Sequence, residues 1–171
     1  TMPDFERMRD QIRPNITAEG LRIQIVDVQS RPMFDLGSAV VKEYMRQLLR
    51  EIGNVLNSVD HRVTLAGHTD AKQYQSGERG YSNWELSSDR ANASRRELIA
   101  GGMDEKKILR VVGVGASVML NADDSNAAVT RRISIIVMNK ATENKVVREL
   151  GKVEVQNAEE LAGELTAREE K

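Results

Sequence analysis

Apolar and polar residues alternate strictly in Leu21-Arg22-Ile23-Gln24-Ile25, with Val26 and Val28 following, a period of two that predicts a strand. Val41, Tyr44, Met45, Leu48, Ile52, Val55, Leu56 and Val59 then recur at three-four spacing, the stripe of a long helix packed on a sheet, with Ser38 as its N-cap. Arg31 to Gly37, interrupted by Pro32 and Gly37, reads as the loop before it. Arg62 to Gly67 predicts a second strand. A loop with Gly77 and Gly80 and no apolar period follows, from Ala71 to Tyr81. Ser82 with Glu85 three residues later is a capping box opening a second helix. Trp84, Ala91 and Leu98, seven apart, share one face of that helix, and Gly101-Gly102 terminates it. Asp104 caps a short helix through Leu109. Val111 to Val114 predicts a third strand, residues 115–130 a second long loop, and Arg132 to Met138 a fourth strand.

The chain ends carry weaker patterns. Phe5, Met8 and Ile12 stand at helical spacing, a narrow stripe that predicts an N-terminal helix stopped or kinked by Pro14. The last thirty residues are charged with scattered Val and Leu, and read as a frayed helix or a disordered tail. The predicted order is β-α-β-α-β-β, an α+β class with helices on one face of a mixed sheet and an extra N-terminal helix. The division follows: residues 1–19 an N-terminal helical linker, 20–140 the folded domain, 141–171 a charged tail.

Length and charge narrow the function. A chain of 171 residues holds one sizeable core. Its formal net charge of −1 supplies no field that would gather nucleic acid, and Arg131-Arg132 is not a basic stripe. Cysteine is absent, which removes disulfides, thiolate nucleophiles and Cys-ligated zinc. No apolar run approaches the ~20 residues of a membrane span.

Candidate chemistry concentrates at one junction. Gly67-His68-Thr69-Asp70 ends a strand, and Asn83-Trp84-Glu85-Leu86-Ser87-Ser88-Asp89-Arg90-Ala91 opens a helix. Asn83, Leu86 and Arg90, three and four apart, share a face other than that of Trp84, Ala91 and Leu98. Asp70 and Arg90 have two readings. They form a salt bridge fixing strand to helix, or a cradle in which Asp70 takes an ammonium and Arg90 holds a carboxylate bidentately. His68 and Asp70 have the spacing of half a metal site, but nothing nearby supplies a third ligand, and no metal or cofactor is expected. Gly113-Val114-Gly115 follows a strand but lacks the further glycine, the lysine and the helix of a phosphate loop, so it reads as a tight strand exit. No Gly-x-Ser-x-Gly elbow exists, and most carboxylates fall on polar helix faces.

Several separated elements occur in a fixed order: Gly67-His68-Thr69-Asp70, Asn83-x-x-Leu86-Ser87-x-x-Arg90-Ala91, Gly113-x-Gly115 and Arg131-Arg132-Ile133. Together they resemble the OmpA-like peptidoglycan-binding domain over roughly residues 20–140. Arg31-Pro32-Met33-Phe34, Gly80 to Ser87 and Asp89 to Leu98 are most similar to the branch found in flagellar motor stators. The resemblance implies an OmpA-like two-layer sandwich and binding of the diaminopimelate residue of cell-wall stem peptides. It carries contact with that amino acid onto Asp70 and Arg90, and places Thr69, Asn83 and Leu86 along the same site. Phe34 and Asp35 match a Phe-Asp before the first long helix, and Arg131 and Arg132 an arginine pair leading the last strand, whose other reading is a structural ion pair. Two departures stand out. Asp70-Ala71-Lys72-Gln73 replaces the usual Asp-x-x-Gly, with a long loop to Asn83 that reads as a lid or partner surface, and Thr130 stands where Asn is frequent.

The resemblance further implies a non-catalytic wall anchor, a homodimer, and a stator channel subunit as partner through a membrane helix absent from these residues. It also implies a periplasmic location, the chain being a fragment of an inner-membrane protein. A general envelope-tethering protein, such as a lipoprotein or outer-membrane protein, is the competing reading. An enzyme acting on peptidoglycan ranks behind both, for want of a nucleophile or acid–base pair.

Overall fold

The computed structural model describes residues 9–27, 31–70, 80–118 and 130–151, with positions 159, 162, 163 and 166 beyond them. The chain divides into two compact units, Thr1–Asn139 and Lys140–Lys171. In the first unit the elements run β1 (Ile12–Thr17), β2 (Gly20–Val26), α1 (Glu43–Asn57), β3 (Val63–His68), α2 (Asn83–Ala100), β4 (Ile108–Gly113) and β5 (Arg132–Met138). The second unit opens with α3 (Lys140–Gly151).

The five strands form one sheet in the order β1-β2-β5-β3-β4. β5 lies between β2 and β3 and is antiparallel to both, so β2 and β3 run in the same direction. β4 joins β3 in parallel after the α2 crossover. This is the expected α+β class, a mixed sheet with helices packed on it. The strand β1 is an addition to the expected set.

Strand alternation sends Ile25, Leu65, Ile133 and Ile135 to one face, where they are at most 1% exposed and pack with Met45, Leu48 and Leu98 of the helices. The stripe of α1 departs from the expected one at two positions. Val55 is 63% exposed, and Leu49 is buried in its place. On α2, Ala91 and Leu98 are buried as expected, but Trp84 is 58% exposed. Trp84 sits in the first turn of the helix, ahead of the stretch that lies on the sheet. Close approach between layers depends on glycine. A Cβ on Gly67 would lie 2.1 Å from the carbonyl oxygen of Ser87, and one on Gly113 would lie 2.4 Å from the backbone nitrogen of Ser88. The two glycines therefore let α2 settle directly on β3 and β4.

Helix ends follow local chemistry in α2 and depart from it in α1. Ser82 and Glu85 form the capping box, and Gly101 is the C-cap of α2. Ser38 does not cap α1. Its hydroxyl accepts from the Val40 N–H, and the helix starts later, after Lys42, with no side-chain cap. Asp104 caps a single 3-10 turn, Glu105–Lys107, and the chain is already extended at Ile108, because β4 pairs there with Val63.

The N-terminal helical linker is corrected over its described part. Arg9–Gln11 is one 3-10 turn and Ile12–Thr17 is the edge strand β1, antiparallel to β2. Ile12, Pro14 and Ile16 have strand alternation. Pro14 withholds a ladder N–H, which an edge position tolerates and a central strand does not. Phe5 and Met8 lie outside the described residues, as does the lid or partner surface expected in the loop up to residue 79.

Candidate functional site

Topology gathers one end of the sheet. β2 and β3 finish there and β5 begins there, so Asp27, Asp70 and Arg131 meet although they are far apart in sequence. The N-terminus of α2 arrives at the same end, where the Asn83 side-chain amide donates to the Asp70 carbonyl at 3.3 Å.

The ion pair on Asp70 comes from Arg131 and not from Arg90. Arg131 Nη1 donates to Asp70 Oδ2 at 2.7 Å, and Arg131 Nε donates to Asp27 Oδ2 at 3.0 Å. Burial works to lower the Arg131 pKa, but hydrogen bonds to Asp70 and Asp27 outweigh it and the net direction is upward. Asp27 is 4% exposed and shifts upward, because burial disfavours its charge more than the Met33 N–H and Arg131 favour it. Its other oxygen accepts from the Met33 N–H at 2.8 Å.

Arg90 is 7% exposed and bonds to neutral partners. Its Nε donates to the Ser38 carbonyl at 2.8 Å and its Nη2 to the Asp35 carbonyl at 3.2 Å, while the guanidinium carbon lies 4.8 Å from the centroid of the Phe34 ring. Burial lowers its pKa from the ordinary arginine value, opposed by Asp27 and Asp70 and assisted by Arg131. Arginine stays protonated under these conditions. Arg90 thus brings a buried positive charge to a cleft lined by Asp27, Met33, Phe34, His68, Arg90, Arg131, Arg132 and Ile133.

The remaining expected site residues take different places. Phe34 is buried beneath Arg90. Asp35 contributes its carbonyl, and its carboxylate turns to Lys42 at 2.8 Å. Leu86 is buried on α2. Thr69 is 3% exposed, with its N–H on the Gly115 carbonyl at 2.9 Å and its hydroxyl oxygen without a partner. Gly115 N–H in turn donates to the Ser87 hydroxyl at 3.0 Å, so the Gly113–Gly115 segment stitches the β3 end to α2. Arg132 is 2% exposed and sits across from His68 on the neighbouring strand, with its guanidinium on the carbonyls of Thr130 and Val118. His68 is held neutral, its pKa lowered from 6.5 to about 4 by burial and by nearby Arg132 and Arg22. No group of three potential metal ligands occurs among the described residues.

Asp27 is the site residue that sequence reasoning passed over. One signal was available: a lone carboxylate ends the apolar run Ile23-x-Ile25-Val26, where a solvated loop residue would be ordinary and a 4% exposed one requires a partner.

The cleft offers cations at Arg90, Arg131 and Arg132 and a carboxylate at Asp27, and Arg131 links it to the Asp70 carboxylate. Such a mixture suits a small ligand bearing both acid and amine groups. The chain belongs to the OmpA family, whose model matches residues 33–133. It is 53% identical over 147 residues to Motility protein B of Escherichia coli K12, covering 86% of this chain and 48% of that protein. The chain therefore spans about half the length of the curated relatives it matches. The fold is shared with the periplasmic domain of Helicobacter pylori MotB, with a TM-score of 0.65, 16% identity, and coverage of 82% of this chain and 93% of that one. The cell wall anchor of the type VI secretion system from Pseudomonas aeruginosa superposes with a TM-score of 0.65 at 25% identity, over 81% of this chain and 94% of that one.

Proposed function

We propose that this OmpA-family chain is a non-catalytic peptidoglycan-binding domain that anchors a flagellar stator complex to the cell wall. It takes the diaminopimelate residue of the stem peptide. One observation carries the reading: buried Arg90 holds its guanidinium on neutral carbonyls and the Phe34 ring in a cleft that Arg131 also lines, and Arg131 in turn holds Asp70. A ligand carboxylate on Arg90 would gain a charge-assisted bond to a cation already oriented, and the ligand's amine would join Arg131 on the Asp70 carboxylate. Likeness to Motility protein B supports the stator role and a periplasmic location. The proposal includes a MotA-type channel subunit as partner through a membrane helix outside these residues, and a homodimer. Among the described residues no helix is long and apolar enough to cross a membrane.

Sedimentation with purified sacculi tests the reading. The chain should co-sediment with sacculi containing diaminopimelate and not with those carrying lysine at that position, and Arg90→Ala should release it. Equal retention of wild type, Arg90→Ala and Asp70→Ala would remove the site. The likeness to a secretion-system wall anchor favours a second reading, general envelope tethering unrelated to motility. Complementation of a non-motile stator mutant by a protein carrying this domain separates the two.

A further inference from the structure

Asp27 holds both arms of the cleft. One carboxylate oxygen accepts from Arg131 Nε at 3.0 Å and so aims the Nη1 edge of that guanidinium at Asp70. The other accepts from the Met33 N–H at 2.8 Å. Met33 immediately precedes Phe34, whose ring lies under Arg90, and the Asp35 and Ser38 carbonyls that fix Arg90 follow in the same segment. The Asp27 N–H also donates to the Arg131 carbonyl at 3.0 Å, so the carboxylate is anchored through its own backbone. A 4% exposed aspartate with both oxygens engaged leaves little freedom to either arm.

We infer that Asp27 is a positioning residue that sets the spacing between the Arg131–Asp70 arm and the Arg90 arm, one carboxylate oxygen serving each. The inference rests on the binding reading above. It concerns a group that supports the binding residues through its two bonds. A ligand with charged groups at fixed separation needs that spacing, and a shift of either arm loses one contact while keeping the other.

The chemistry of substitution separates the arms. In Asp27→Asn the amide oxygen still accepts from the Met33 N–H, but the amide NH₂ then faces the Arg131 donor, and that arm is released. Asp27→Ala releases both. Co-sedimentation of the full chain with diaminopimelate-type sacculi should weaken by about tenfold for Asp27→Asn and further for Asp27→Ala. Asp27→Asn combined with Arg131→Ala should bind no worse than Arg131→Ala alone, since both changes remove the same arm. Asp27→Glu, which keeps the charge, should recover part of the loss. Thermal melts of every variant convert bound amounts to amounts per folded molecule. Wild-type binding by folded Asp27→Asn, or additive losses in the double variant, overturns the inference and leaves the site standing if Arg90→Ala still fails to bind. Wild-type binding by Arg90→Ala and Arg131→Ala together overturns the site, and the inference with it.

Discussion

Arg131 Nη1 lies 2.7 Å from Asp70 Oδ2, a pair closed by residues 61 positions apart and by the placement of β5 beside β3. The same guanidinium reaches Asp27, which is the more deeply buried of the two acids. Removal of Arg131 therefore leaves a buried carboxylate without its cation, whereas removal of the Asp70 charge leaves Arg131 still paired. Arg131→Ala should cost about 2–3 kcal/mol, discounted because the arginine is partly solvated, and Asp70→Asn about 1 kcal/mol. Urea denaturation of the two variants checks the order.

Arg90→Lys should behave as a loss variant in binding. A lysine ammonium cannot reach the Ser38 and Asp35 carbonyls in the fixed fork that Arg90 uses, nor lie flat on Phe34. Co-sedimentation with sacculi should fall by about tenfold or more, and a near-wild-type result would show that charge alone suffices.

The contact between Gly67 and Ser87 leaves no room for a methyl group. Gly67→Ala would set its Cβ against the backbone carbonyl of α2, and the strand or the helix must move. A destabilisation of about 3 kcal/mol is expected by thermal or urea unfolding. Gly151→Ala is the control, because a Cβ there meets nothing within 4 Å and alanine favours the helical state.

His68 gives the fold an acid-side dependence. Its folded pKa is lowered from 6.5 to about 4, so between those values the unfolded chain binds the proton and the folded chain does not. Stability should therefore be level above about pH 6.5 on this account and fall as pH drops toward 4. His68→Gln should flatten that part of the curve, measured by the urea midpoint at successive pH values.

Ser82→Ala should remove one member of the reciprocal cap at the start of α2, next to the Asn83 amide that holds the Asp70 carbonyl. The expected loss is about 1 kcal/mol by chemical denaturation.

Much of the fold was legible because its signals are local. Alternation in Leu21 to Ile25 and Arg132 to Met138, the Ser82–Glu85 box and the Gly101 stop each act within a few residues. The structure departs from the local signal where a distant partner overrides it. Ser38 has the chemistry of a cap, yet the carbonyl of this residue is taken by Arg90 and the helix begins later. Ile12 fits a helical stripe with Met8 and also a strand with Pro14 and Ile16, and pairing with β2 selects the strand.

Site chemistry divides along the same line. By itself the sequence determined the main strands and helices, and that Asp70 ends a strand, Arg90 lies about two turns into a helix and Arg131 leads the last strand; only the tertiary structure showed that Gly67 and Gly113 admit α2 to the sheet. Only the tertiary structure decided that Asp70 pairs with Arg131, that Arg90 rests on carbonyls and Phe34, and that Asp27 joins them. Side-chain periodicity is set by neighbouring residues, but partner choice among charges depends on strand order. Insertion of β5 between β2 and β3 is a non-local event, and it carries Arg131 to both aspartates.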